Sequence, residues 1–312
     1  MKTPVLFIIF NRQETTKKVF EAIKVAKPEK LFIAADGPRK NIANEKELCE
    51  ETRKIIDKID WECEVKTLFR EENLGCGKAV SGAITWFFEN VEEGIILEDD
   101  CLPHPSFFKY CEELLDHYRL DNKIFMISGN NFLPKKLKPA GSYYFSQIPH
   151  IWGWATWKRS WTKYDFNIAD LPAFIKNGEI KMWSNIYVQK YWLEKFNDVY
   201  LKKINTWDYQ LVYTMWKNKN FSIAPKVNLV SNIGFGIGGT HTLNKNDNLS
   251  NFPSEEINFP LVLNSPNTLT ICDDYENVNI FGRNYLVKIV LKKIGLFDLT
   301  KKLYQLIKNK TS

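Results

Sequence analysis

The chain has 312 residues, enough for one large α/β domain or two small ones. Hydrophobic residues make up 44% of it and aromatic residues 14%, which excludes a mainly disordered protein. The formal net charge is +6, but residues 283–312 hold eight basic residues and one acidic residue, so the rest of the chain is nearly neutral. This distribution argues against a nucleic-acid groove over the main domain, and we expect no nucleic-acid partner.

The six cysteines form no CxxC pair, which favours a reducing compartment over a disulfide scaffold. The apolar run Val5–Phe10 is too short for a signal peptide or a membrane span, and no later stretch reaches about 18 apolar residues. We therefore expect a cytoplasmic protein without a transmembrane helix.

Short apolar runs alternate with helical patterns in the first half of the chain. Strands are predicted at Val5–Phe10, Leu31–Ala35, Val65–Phe69 and Gly94–Leu97. Apolar residues recur at helical spacing between them, and Thr15 or Thr16 is expected to cap the first helix. This order predicts an α/β fold with a mainly parallel sheet and helices on both faces.

Polar residues follow each predicted strand. They are Asn11, Asp36, Arg70 and the acidic triplet Glu98–Asp100. In parallel α/β sheets, ligands bind outside the carboxyl ends of the strands. The sequence therefore predicts a ligand site where these four strand ends meet.

The acidic triplet places three carboxylates side by side at the end of an apolar strand. Like charges repel, and a divalent cation among them would relieve the repulsion. Mg²⁺ or Mn²⁺ takes one or two carboxylates plus phosphate oxygens, and it neutralises a departing diphosphate. The alternative is a solvated acidic turn, or an aspartate that caps the helix starting near Pro105 and Ser106.

Four motifs together resemble nucleotide-sugar glycosyltransferases of the GT-A fold. They are Phe10-Asn11-Arg12, Asp36-Gly37, Asn73-x-Gly75 and Leu97-Glu98-Asp99-Asp100. The pattern looks closest to glycosyltransferase family 2 and to the N-acetylglucosaminyltransferase I type, which carries the EDD form of the DxD motif. The resemblance covers about residues 1–240. With it we divide the chain into a donor-binding subdomain at 1–130 and an acceptor-binding and catalytic part of the same domain at 131–243.

By this resemblance, Arg12 and Asp36 bind the nucleobase end of a UDP-sugar, and Asp99 approaches the ribose or sugar hydroxyls. Asp100 is the main metal ligand, and Glu98 lies near the donor sugar. The expected donor-binding residues are Phe10, Asn11, Arg12, Asp36, Gly37, Arg70, Asn73, Gly75, Lys78, Glu98 and Asp99.

Three of these assignments have plain alternatives. Arg12 is otherwise a surface residue, and Asp36 otherwise favours a turn beside Gly37. Lys78 is either a phosphate contact or an ordinary lysine at the start of a helix. Its segment lacks the spacing of a P-loop, because one residue separates the glycines and Ala79 follows the lysine.

Eight of the ten tryptophans lie between residues 152 and 216, so this part is expected to shape a pocket different from that of the first half of the chain. Flat aromatic rings cover the apolar faces of sugars, and we expect Trp152 and Trp154 to bind the acceptor. The alternative is that these tryptophans belong to the core.

Asp208 is the candidate general base for transfer with inversion, which needs a carboxylate within reach of the acceptor hydroxyl. It begins a predicted helix, and related inverting enzymes place their base in a comparable segment. Alternatively, Asp208 complements the helix dipole. Asp165 and Asp170 are weaker candidates.

The segment Gly234–Thr242 is rich in glycine and resembles a mobile lid over the donor. By resemblance to some GT-A enzymes, His241 completes the metal shell; an ordinary histidine is the alternative. Residues 244–282 are interpreted as a loop-rich linker. The amphipathic, basic residues 283–312 predict two helices that either contact the inner face of a membrane or pack on the domain.

The combined interpretation is an inverting hexosyltransferase that uses Mn²⁺ or Mg²⁺. It moves a sugar from a UDP-sugar, of which UDP-GlcNAc is one candidate, to a carbohydrate or lipid-linked glycan in surface-glycan synthesis. The alternatives are a nucleotidyltransferase that makes a nucleotide sugar and a non-catalytic carbohydrate-binding protein.

Overall fold

The computed structural model describes residues 1–134, 137–183, 185–235, 252–263, 286, 287 and 289–291. The strands are β1 Val5–Ile9, β2 Lys30–Ala35, β3 Glu64–Phe69, β4 Glu93–Glu98, β5 Cys101–Pro103, β6 Ile124–Ser128, β7 Tyr143–Ser146, β8 Trp154–Trp157, β9 Phe221–Pro225 and β10 Val230–Asn232. The α-helices are α1 Gln13–Ala26, α2 Glu45–Arg53, α3 Gly75–Asn90, α4 Pro105–His117, α5 Lys158–Trp161, α6 Leu171–Lys176, α7 Ile186–Tyr200 and α8 Asp208–Lys217. Lys54–Lys58 and Glu179–Met182 form 3₁₀ helices.

Eight strands form one sheet in the order β3-β2-β1-β4-β8-β6-β9-β7. The first four are mutually parallel, and β6 is parallel to β9. Strands β8 and β7 pair antiparallel with their neighbours, so six of the eight strands run in one direction. The predicted α/β fold with a mainly parallel sheet is confirmed.

Strand β1 shows why the sheet is covered on both sides. All five of its residues are buried, and neighbouring side chains of a strand point to opposite faces. Leu6 and Ile8 join a core cluster with helix α3, whereas Val5, Phe7 and Ile9 join a second cluster with helices α1 and α4. A strand buried on both faces is a continuous apolar run, the pattern that predicted it.

The prediction for the start of the first helix was wrong. Helix α1 begins at Gln13, with Arg12 at the N-cap position. Thr16 lies inside the helix and is buried, since it belongs to the same face as Val19 and Ile23. Thr15 donates from its hydroxyl to the carbonyl of Arg12, within the first turn (3.3 Å).

A small antiparallel sheet follows the acidic triplet. Strand β5 pairs with β10, with Cys101 opposite Asn232. The chain after β10 therefore returns to Asp100, whose carbonyl accepts from the backbone N–H of Ile233 (2.8 Å). Gly234 lies against the Asp100 carboxylate: a Cβ at this glycine would stand 2.2 Å from Asp100 Oδ2. The acidic triplet is therefore in contact with a segment that lies more than 130 positions later in the chain.

The tryptophan-rich part mostly forms core. Seven of its eight tryptophans are buried, and only Trp152 is partly exposed. The buried rings of Trp192, Trp216 and Phe196 pack together between helices α7 and α8. The tryptophans between residues 152 and 216 therefore serve mainly to pack these helices in the core, rather than to shape a separate pocket.

Several predictions lie wholly or largely outside the described residues. These are His241, the glycine-rich segment after Phe235, and most of residues 244–282 and 283–312. The five described residues of the tail, Leu286, Val287 and Ile289–Leu291, are helical. No helix among the described residues is long and apolar enough to cross a membrane.

Candidate functional site

A cavity of about 640 Å³ lies at the carboxyl ends of β1, β2 and β4, beside the start of α3. Nine of the eleven predicted donor-binding residues line it: Phe10, Asn11, Arg12, Asp36, Arg70, Asn73, Gly75, Glu98 and Asp99. The parallel register explains this convergence. Because β1 lies between β2 and β4, the residues after all three strands reach the same edge.

Gly37 and Lys78 lie elsewhere. A Cβ at Gly37 would stand 2.4 Å from the backbone carbon of Glu72, so this glycine permits two loops to pack closely. Lys78 is exposed and lines a separate cleft of about 440 Å³ with Ser81 and Tyr164. Neither residue is among those that line the large cavity.

Arg12 connects two members of the acidic triplet. Its guanidinium donates to Asp99 and, at 2.9 Å, to Oδ2 of Asp100. Asp99 is buried and also accepts from the backbone N–H of Phe10 (3.3 Å). The pKa of Asp99 is raised by burial, while Arg12 opposes this shift. The structure therefore places Arg12 against the carboxylates, where it offsets part of their mutual repulsion.

Glu98 differs from its two neighbours. No protein group among the described residues donates a hydrogen bond to its carboxylate, although the side chain lines the cavity. Burial raises the pKa of Glu98 to about 8, and the charges of Asp100 and Asp99 act in the same direction. The Glu98 carboxyl group therefore lines the cavity without a hydrogen-bond donor among the described residues.

Asp36 joins the end of β2 to the start of α3. Its carboxylate accepts from the backbone N–H groups of Gly37 (3.0 Å), Leu74 (3.0 Å) and Gly75 (3.1 Å). The amide of Asn73 donates to the carbonyl of Gly37 (2.8 Å) and reinforces the same junction. These contacts fix the wall of the cavity: Oδ1 accepts from Gly37 and Leu74, and Oδ2 accepts from Leu74 and Gly75.

An ion pair between a buried carboxylate and an exposed guanidinium, which the sequence analysis missed, supports the same wall. Glu45 is 1% exposed and forms a salt bridge with Arg39, whose guanidinium lies over the ring of Phe10 at 5.8 Å. Glu45 also accepts from the amide of Asn11 (2.9 Å). The hydrogen bonds from Arg39 hold the pKa of Glu45 below its ordinary value. In the sequence, the signal for this cluster of Asn11, Arg39 and Glu45 is the position of Arg39 just after the turn at Asp36.

Asp208 begins helix α8, as predicted, but it is not among the residues that line the cavity. Its Oδ1 accepts from the hydroxyl of Thr206 and from the backbone N–H of Tyr209 (2.9 Å). No described residue donates to Oδ2. Asn205, three positions earlier, does line the cavity. The segment that carries the candidate base therefore reaches the edge of the predicted donor site.

The two predicted acceptor-binding tryptophans have different positions. Trp154 is 1% exposed and stacks on Trp207, with ring centroids 5.8 Å apart, so the structure places it in the core rather than on an acceptor surface. Trp152 is partly exposed and meets Phe235 edge-on at 5.7 Å. Gly153, which separates them, has a φ of +71° and lies against Val230. On either side of this turn, the Trp154 ring is buried in the core and the Trp152 ring is partly exposed.

The carboxylates fit a divalent cation that arrives with a phosphate ligand. Within the described ranges, no cluster of three His, Cys, Asp or Glu side chains is arranged to hold a metal. A Mg²⁺ or Mn²⁺ ion in a nucleotide site uses one or two carboxylates and takes its other ligands from phosphate and water. Asp100 and Glu98 supply oxygen ligands of the required type, and Asp100 Oδ2 would exchange its bond to Arg12 for one to the ion.

No protein-family model and no curated protein sequence matches the chain. Among solved structures, it is similar to S. aureus TarS 1–349, with 12% identity and a TM-score of 0.40 over 72% of this chain and 58% of that one. It is also similar to apo-form glycosyltransferase GlyE of Streptococcus pneumoniae TIGR4, with 12% identity and a TM-score of 0.34 over 71% of this chain and 45% of that one. A third similar structure is UDP-glucose pyrophosphorylase complexed with UDP-glucose, with 12% identity and a TM-score of 0.36 over 72% of this chain and 90% of that one. The chain thus spans less than two thirds of the length of the TarS and GlyE chains.

Proposed function

We propose that the chain is a metal-dependent, inverting glycosyltransferase of the GT-A fold that uses a UDP-sugar. The observation that carries the proposal is the convergence of nine predicted donor-binding residues on one cavity of about 640 Å³. That volume lies within the range of cavities that bind small molecules. Resemblance to nucleotide-sugar transferases implies the same residues as donor-binding.

The charges of the cavity suit a nucleotide diphosphate. Arg12, Arg39 and Arg70 line it together with the carboxyl groups of Asp36, Glu98 and Asp99. Arginine binds phosphate oxygens through its fork of N–H groups, while a carboxylate accepts from the N–H of a base or from ribose hydroxyls. In this proposal Asp36 keeps its expected place at the nucleobase end. Arg12, which was expected there too, lies against Asp99 and Asp100 and instead contacts the diphosphate once it releases Asp100.

The chemical step requires a base on the acceptor side. Asp208 takes the proton from an acceptor hydroxyl, whose oxygen forms a bond to the anomeric carbon. The bond from that carbon to the diphosphate breaks, and UDP leaves with the electron pair. A divalent cation held by Asp100 would neutralise the charge that develops on the leaving diphosphate. In this proposal the partly exposed ring of Trp152 covers the acceptor sugar.

The acceptor is proposed to be a carbohydrate or lipid-linked glycan. The experiment that tests the function incubates the protein with UDP-sugars, Mn²⁺ and a panel of glycan acceptors, and measures UDP release together with the mass of the product. A product heavier by one sugar supports glycosyl transfer. Synthesis of a nucleotide sugar from UTP and a sugar 1-phosphate, without glycan transfer, would instead show a nucleotidyltransferase.

A further inference from the structure

Asn205 lies at the rim of the donor cavity and comes from a part of the chain distant from its other lining residues. It sits between helices α7 and α8, three positions before Asp208, and lines the cavity beside Gly75 and Cys76. Burial raises the pKa of the Cys76 thiol to about 12, and the charges of Glu98 and Asp208 add to this shift. Asn205 thus connects the cavity lining to the segment that begins helix α8 with Asp208.

The orientation of the Asn205 amide is determined by one contact. The backbone N–H of Gly77 donates to Oδ1 of Asn205 at 3.0 Å. Only the carbonyl oxygen of the amide can accept this bond, so the nitrogen must occupy the other position. The contact also uses one of the N–H groups at the start of helix α3 that have no partner within the helix.

The two glycines of the Gly75-Cys76-Gly77 segment make room for this amide. A Cβ at Gly75 would stand 2.3 Å from Asn205 Nδ2, and one at Gly77 would stand 2.7 Å from both Asn205 Oδ1 and the Thr206 carbonyl. Gly75 also has a φ of +77°, in the region that favours glycine. The glycine spacing is therefore explained by the close approach of Asn205 and Thr206.

Asn205 is exposed at the rim, and the nitrogen of its amide has no protein partner among the described residues. Across the described part of the chain, no group accepts a hydrogen bond from Asn205 Nδ2, which carries two N–H donors. We propose that Asn205 donates from Nδ2 to a hydroxyl oxygen of the donor's sugar and helps to select that sugar. The inference rests on the proposed function, because it takes the sugar to lie between the diphosphate and Asp208.

The test compares wild-type protein with Asn205→Asp by calorimetry, using UDP, UDP-GlcNAc, UDP-glucose and UDP-galactose with Mn²⁺. Aspartate can still accept from Gly77 but no longer donates. UDP carries more negative charge than a UDP-sugar, because its terminal phosphate has a second ionisation. The added charge therefore weakens UDP at least as much, and a fall in the ratio of UDP-sugar to UDP affinity reports the lost sugar contact. Asn177→Asp adds the same charge outside the cavity and serves as the control. Asn205→Ser, which removes the amide without adding charge, replaces Asn205→Asp if that variant unfolds.

For the UDP-sugar that the wild type binds most tightly, the ratio of its affinity to that of UDP should fall about fivefold in Asn205→Asp. It should stay unchanged in Asn177→Asp. An unchanged ratio in Asn205→Asp would overturn the inference and leave the proposed function intact. Absence of any UDP-sugar binding by the wild type would instead contradict the proposed function.

Discussion

Arg12 and Asp100 form an ion pair at the edge of the cavity, with 2.9 Å between Nη1 and Oδ2. The arginine thereby uses the carboxylate oxygen that the proposed metal ion would need. Because both cations favour the same oxygen, Arg12 and the metal compete in the nucleotide-free protein. The bound diphosphate would resolve this competition by giving Arg12 a second anionic partner.

Removal of that competition should strengthen binding of the metal alone. In Arg12→Met, the affinity of the nucleotide-free protein for Mn²⁺ should rise roughly tenfold, since one nearby positive charge is lost. Titration followed by the electron paramagnetic resonance of free Mn²⁺ measures this. Asp100→Asn is the matched control and should bind Mn²⁺ less tightly than the wild type. An equal or weaker affinity in Arg12→Met would contradict the competition.

The close approach of Gly234 to Asp100 predicts a functional defect without loss of the fold. A methyl group at Gly234 must displace the Asp100 carboxylate, because its Cβ would stand 2.2 Å from Oδ2. Gly234→Ala should lower kcat/KM of the transferase about 100-fold, the scale of a small misplacement in an active site. Its midpoint of thermal unfolding should change little.

Gly178→Ala is the control for that variant. Gly178 has a φ of +69° and lies far along the chain, at the start of a 3₁₀ helix outside the cavity. Alanine in this conformation costs about 1–2 kcal/mol of stability. We expect a lower unfolding midpoint with unchanged kcat/KM. Equal kinetic defects in the two glycine variants would argue against a role for Gly234 at Asp100.

The two tryptophans on either side of Gly153 should respond differently to truncation. Trp154→Ala opens a cavity beside Trp207 and should lower the free energy of unfolding by about 3–5 kcal/mol. Trp152→Ala should cost less stability, because its ring is partly exposed, and it should raise KM for the glycan acceptor. Urea unfolding and acceptor kinetics distinguish the two. An acceptor KM unchanged in Trp152→Ala would remove this residue from the acceptor site.

The Glu45–Arg39 pair predicts a pH dependence of stability. The pKa of Glu45 is lowered in the folded protein by its hydrogen bonds from Arg39. Its contribution to stability is therefore complete above the unfolded pKa of about 4.3, and it is lost as the pH falls through the lower folded value. Glu45→Gln should reduce the free energy of unfolding at pH 7, and the difference from the wild type should shrink below about pH 4. A difference that does not vary with pH would contradict this.

The sequence predicted the sheet and much of the cavity because both depend on local patterns. Apolar runs mark strands that are buried on both faces, and a parallel sheet brings the residues after them, such as Asp36 and Glu98, to one edge. Asn205 gives no local signal, since its contact with Gly77 joins residues 128 positions apart. Trp154 was misjudged for a similar reason: whether a tryptophan lies in a core or a pocket depends on its neighbours in space, here Trp207.

We propose that the cavity beside the acidic triplet binds a UDP-sugar together with a divalent cation. Calorimetric titration of the wild-type protein with UDP-sugars, in the presence and absence of Mn²⁺, tests it most directly, with Asp100→Asn as the comparison. We expect Mn²⁺ to strengthen UDP-sugar binding in the wild type and not in Asp100→Asn. Binding of no nucleotide sugar under either condition, or equal binding with and without Mn²⁺, would contradict it.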